Sequence, residues 1–183
     1  REGFHFAMAT LADRYAFELG GLHFEVIACD GAETDDSLLV WLPQQRICFT
    51  GNAMGALFGH FPNLVTIRGD RYRDPLNYVA ALDRLLALDA EMLCVGHFDP
   101  VVGRERIRSE LTRMKGAVLH VHDAIVAAMN AGGDVWTAMR EIELPPELRV
   151  GQGYCKVILA VRTVWEECIF FFNDTATTEI YTD

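Results

Sequence analysis

Apolar positions along this chain follow two different spacings, and the changes between them divide it. The first region alternates. Residues 16–19 and 22–28 are strand-like runs on either side of Gly20-Gly21, which predicts a hairpin. In the second run Leu22, Phe24 and Val26 alternate with His23, Glu25 and Ile27, so His23 reads as a solvent-side strand residue. The polar cluster 30–37 predicts a loop. Residues 38–42 and 46–50 form the next strand pair, with Pro43-Gln44-Gln45 as the turn. Residues 51–74 carry four glycines and are too long for an idle connection, which predicts a functional loop.

Asp74 is placed to cap a helix with Pro75 in its first turn, and Leu76, Val79, Leu82, Leu85 and Leu86 supply its apolar face. Residues 92–95 predict a short buried strand that delivers Gly96-His97 into a loop closed by Pro100 and Gly103. After Gly103 the period becomes helical: Ile107, Leu111, Met114, Val118, Ile125 and Met129 repeat close to a heptad. Gly132-Gly133 ends this helix, Asp134 starts a shorter one, Leu144-Pro145-Pro146 breaks that, and 154–167 predict a last amphipathic helix. Residues 1–103 are therefore expected to be α/β with a β-meander and residues 104–168 all helical.

The last segment, 169–183, has a different composition, a polar Thr/Asp/Asn stretch appended to a helical pattern. Its FFNDTATTEIYT resembles a translated sequencing-adapter read-through, and it is set aside as an expected artefactual tail. At the other end the chain starts with Arg1, not Met, and no signal-peptide pattern follows. A missing N-terminus is expected, which leaves the compartment open between cytoplasmic and exported.

Apolar residues make up 51% of the 183, enough for a substantial core. The formal net charge of -10 argues against a nucleic-acid partner, which needs a basic footprint. No stretch reaches the length of a membrane span. The five cysteines are scattered without a CxxC pair, so neither a zinc knuckle nor a disulfide framework is indicated, and most read as buried small hydrophobes.

Candidate chemistry lies in three loops. His97 leaves a buried strand, where a neutral imidazole can ligate zinc or simply satisfy the loop. Glu33 sits among Asp35 and Asp36, three carboxylates in four residues, which fits either a cation site or a solvated acidic loop. Asn52 ends a strand, and its amide oxygen is a weaker, neutral ligand. RGDRYR holds three arginines in six residues. The guanidinium fork of Arg68 suits a tetrahedral oxyanion, or salt bridges to Asp70 and Asp74. His120-Val121-His122-Asp123 lies inside a predicted helix, where i and i+2 side chains point apart, so both histidines read as helix residues.

GAETDDSLLVWLPQQRICFTGN, FPNLVTIRGDRYRD, CVGHFDP and VHDAIVAAMNAG, taken in order, resemble the metallo-β-lactamase superfamily and within it the alkyl-sulfatase branch. The match runs from about residue 15 to residue 168. The resemblance implies the C-terminal half of an αββα sandwich (residues 1–103), then a helical dimerisation domain (104–168). It implies metal ligands at Glu33, Asn52 and His97, and substrate contacts at Asn63 and Arg68 within an Asn-Leu-x-x-x-Arg segment. Two departures stand out. Asn52 falls where the branch has a bridging Glu, which removes a charge between two cations. Ser37 falls where many relatives have His or Glu, so the ligand position could slip from Glu33 to Ser37. The His-x-His-x-Asp-His run that would hold most of the metal is absent.

The expected function is a piece of a metal-dependent hydrolase acting on an ester, an alkyl sulfate being the specific case. Two Zn2+ ions in the intact parent would activate a water near neutral pH, and with the histidine run absent the piece itself is expected to be inactive. The expected partners are a small anionic ester and a second copy through residues 104–168. The alternative is a non-catalytic helical oligomerisation module with a degenerate metal site.

Overall fold

The computed structural model describes residues 13–34, 36–65 and 73–179, with 170–179 as backbone only. Six strands form one sheet in chain order: β1 (Arg14–Leu19), β2 (Leu22–Ala28), β3 (Leu38–Leu42), β4 (Ile47–Gly51), β5 (Met92–Val95) and β6 (Val101–Val102). The first four make an antiparallel meander, closed at Leu19↔Leu22 and Leu42↔Ile47 as the turn residues predict. The helix α1 (Pro75–Leu88) then carries the chain back, and β5 joins β4 in parallel, the usual outcome of a helical crossover. The antiparallel β6 was not foreseen, since two residues are too few to show an alternation.

Asp74 caps α1 as expected: its Oδ1 accepts from the Leu76 and Asn77 N–H groups at 2.7 and 3.2 Å. The buried stripe is Pro75, Tyr78, Val79, Ala81, Leu82 and Leu85. Leu76 was expected on that face and is 47% exposed, because it sits about 120° around the helix from Leu82.

The pleat sorts the sheet's side chains. Ile27, Leu39, Trp41, Cys48 and Leu93 enter the core with α1. The opposite face carries the cross-strand row Tyr15, Val26, Val40, Phe49 and Cys94. Tyr15 and Phe49 stand 55% and 45% exposed there, and Phe17 and Phe24 stack with centroids 5.2 Å apart. Among the described residues, helices cover one face of this sheet and the sheet is not closed.

The helical part follows as α2 (Arg104–Asn130), α3 (Val135–Glu141), a 3-10 turn (Pro146–Leu148) and α4 (Val157–Glu179). The α2 stripe buries Ile107, Leu111, Met114, Ala117, Val118, Val121 and Ile125: the near-heptad of the sequence with Ala117 and Val121 added, while the expected Met129 is only partly buried. Asp134 caps α3, accepting from Trp136 and Thr137 N–H groups. The backbone of α4 continues to Glu179, past the end expected from the apolar pattern. Its described buried residues, Val157, Ala160, Val161, Val164, Trp165 and Glu167 among them, all precede Ile169. α2 packs on α1 and α4, and one buried cluster runs from Ile27 to Trp165. The molecule is thus a mixed sheet layered by helices and followed by an all-helical region. Among the described residues no helix is long and apolar enough to cross a membrane.

Candidate functional site

The parallel pair β4–β5 creates the geometry from which a site could be built, because side chains leaving adjacent parallel strands emerge at the same end. Gly51 pairs with Val95, and the Gly96 N–H donates to the Gly51 carbonyl at 2.7 Å. Asn52 and His97 therefore emerge beside each other. Gly96 has to be glycine for this approach, since a Cβ there would run into the Asn52 Oδ1. Asn52 is half-buried, whereas His97 is exposed and tilts against Phe98, with ring centroids 6.4 Å apart. Phe98 is itself 80% exposed with φ of 66°.

Glu33 lies on the loop between β2 and β3. The Ser37 hydroxyl shapes that loop, accepting from the Glu33 and Thr34 N–H groups at 3.1 and 2.8 Å. The Glu33 carboxylate meets the Arg73 guanidinium at 2.9 Å, with the two side chains 13% and 5% exposed. Sequence reasoning did not find this partner for Glu33. The pairing spans 40 residues, and no local spacing signals it. The nearby Tyr78 hydroxyl is pushed well above the ordinary phenol range, first by burial, with Glu33 adding to the rise and Arg73 opposing it.

Asn63 sits in the long loop. Its Oδ1 accepts from the Val65 N–H at 3.1 Å, a local turn that orders the backbone. The loop is anchored by the fully buried Met54, Phe61 and Leu64. Arg68, Arg71, Asp70 and Asp35 lie outside the described residues. His120 and His122 are in α2, as expected. His120 bonds the Glu143 carbonyl through Nε2 at 3.1 Å, and His122 bonds Asp123 at 3.0 Å. Burial raises the Cys29 thiol to about 11 and the Cys48 and Cys155 thiols as well, consistent with their reading as packed small hydrophobes.

No protein-family model matches the chain. By fold it resembles a metallo-β-lactamase family protein from Thermus thermophilus at 19% identity and a TM-score of 0.54, over 84% of this chain and 46% of that one. A stereoselective inverting sec-alkylsulfatase from Pseudomonas sp. superimposes at a TM-score of 0.76 and 22% identity, over 86% of this chain and 26% of that one. The chain is a homologue carrying part of the metallo-β-lactamase fold. More particularly, it is related to the alkylsulfatases: it is 32% identical to a linear primary-alkylsulfatase of Pseudomonas sp. over 90% of its length. It spans about a third of that relative, 31%.

Two expectations are corrected by the site. Among the described residues no group of three or more His, Cys, Asp or Glu side chains gathers to hold a metal ion. That finding overturns both the metal-activated hydrolase reading and the expected Zn2+ ions. The physical reasons are local. Glu33 is charge-compensated by a buried guanidinium, the Ser37 hydroxyl is engaged with its own loop, and Asn52 brings a neutral amide beside a lone exposed imidazole.

Proposed function

We propose that this stretch is a non-catalytic helical oligomerisation module, in which residues 104–168 pair two copies of the chain beside a sheet portion, residues 1–103, whose metal site is degenerate. The division near Arg104 is one of roles, since the core is continuous across it. Residues 169–183 stand outside both parts as an appended tail. The observation that carries the reading is the Glu33–Arg73 ion pair, which sets a fixed cation against the carboxylate that a metal would need. Apolar side chains left on the helical part supply pairing surface, with Trp136, Ile158 and Leu159 exposed by 60%, 41% and 47%.

The small molecule met by the sheet portion is an anionic ester, and the relatedness to alkylsulfatases supports a sulfate ester. Asn63 and Arg68 are the contacts, an amide and a guanidinium fork suited to tetrahedral oxygen geometry. Sedimentation velocity of the purified chain is expected to show a dimer, and atomic absorption after dialysis less than one zinc per chain. Calorimetry with a short alkyl sulfate should show about tenfold weaker binding for Arg68→Ala. A monomer at every concentration, or two tightly retained zinc ions per chain, would sink the module.

A further inference from the structure

The long loop and the helical part meet at a backbone clasp that neither the fold nor the proposed module requires. Residues 59–61 lie alongside Gly151 in a parallel bridge. The Phe61 N–H donates to the Gly151 carbonyl at 2.8 Å, and the Gly151 N–H donates to the Gly59 carbonyl at 3.1 Å. The half-buried imidazole of His60 closes over this bridge. Its Nδ1 accepts from the Gly153 N–H at 3.0 Å. Gly151 lies against the ring, where a Cβ would come within 2.5 Å of Nδ1 and Cε1. Any side chain at 151 would push the ring off its seat.

A backbone N–H can only donate, so the bond specifies the protonation state of the ring. Nδ1 accepts while it is bare, which holds His60 as the tautomer with its proton on Nε2. A second proton would turn Nδ1 into a donor facing a donor. We propose that His60 is a proton-operated clasp, closed on residues 151–153 when neutral and released when it becomes an imidazolium. Its opening would loosen the joint between the loop that carries Asn63 and the segment leading into α4.

Charged groups approach this joint from two sides. From α2, the Glu110 carboxylate reaches Gly59, with Oε2 3.2 Å from where a Cβ would stand, and Arg113 lies 3.4 Å from the same oxygen. Glu110 and Arg113 thus bring an ion pair of opposite charges to the joint. From the clasped segment, Tyr154, Cys155 and Lys156 follow Gly153 directly, with Arg149 before it. The lost hydrogen bond thus sets the direction: the closed state holds at high pH and is lost as pH falls.

The test is hydrogen exchange of the full chain at pH 7.5 and pH 5, expressed as protection relative to intrinsic rates. Protection of the Gly153 amide is expected to drop about tenfold at the lower pH, the size of one lost hydrogen bond. His60→Asn keeps an acceptor oxygen near the Nδ1 position and cannot titrate, so its protection should be the same at both values. Equal protection in the wild type at both pH values, or a parallel fall in His60→Asn, would overturn the clasp. If His60→Asn does not fold, NMR titration of the wild type decides. The Gly153 amide and the His60 ring must then move with one midpoint, and separate midpoints overturn the proposal.

Discussion

At the scale of single residues, the Glu33–Arg73 pair shows how a loop acid comes to be engaged by a distant cation. A guanidinium that is 5% exposed is costly to hold in the interior, and the Arg73 Nε has no hydrogen-bond partner among the described residues. The carboxylate at 2.9 Å compensates that charge. Removing either partner strands the other. Glu33→Gln and Arg73→Met are each expected to cost about 3 kcal/mol, and the double variant should cost clearly less than their sum. Denaturant unfolding of the four proteins measures this, and additive single losses would show that the two charges are not coupled. Glu33 was legible as a charged loop residue from its neighbours. That its charge is met by an arginine was not, because long-range contacts leave no local period.

At the scale of elements, α4 is an amphipathic helix whose buried side includes an acid. Glu167 is 9% exposed, in line with Val164 and the core of that face. Burial pushes its pKa up to about 8, and the Asp74 carboxylate at the cap of α1 acts in the same direction. Exposed in the unfolded chain, the same group titrates near 4.5. Between those values the folded state keeps a proton that the unfolded state has lost. Stability is therefore fully present below about pH 4.5 and is lost as pH rises through 8. Glu167→Gln should match the wild type at pH 4.5 and exceed it by roughly 2–4 kcal/mol at pH 9. Urea unfolding at both values checks it, and an equal gap at the two would remove Glu167 as the cause.

At the scale of the whole molecule, helices layer the sheet on one side among the described residues. α1 and α2 supply the covered side, and the row from Tyr15 to Cys94 crosses five strands on the other. An apolar face of this kind binds hydrophobic dyes and favours self-association. The paired substitutions Tyr15→Thr and Phe49→Thr are expected to lower the fluorescence of a bound naphthalene sulfonate dye by about half. They should leave unfolding free energy within about 1 kcal/mol, since both side chains are about half exposed. Undiminished fluorescence would place the dye elsewhere, and a large loss of stability would mean that this face is packed.

Periodicity in the sequence determined the meander, the crossover helix and the helical region, because the 2.0 and 3.6 repeats are local consequences of where Cβ atoms point. The caps at Asp74 and Asp134 were equally legible, since a cap needs only neighbours two and three residues on. The candidate ligands could be named, but their failure to assemble could not. Whether donors converge depends on the ends of distant strands and on what else reaches them. Only the tertiary structure decided that Arg73 takes Glu33, that His60 closes over Gly151, and that β6 extends the sheet. It also decided that, among the described residues, helices cover one sheet face and not the other. A strand apolar on both sides has the same sequence pattern whether or not a second layer covers it, and only the packing distinguishes the two.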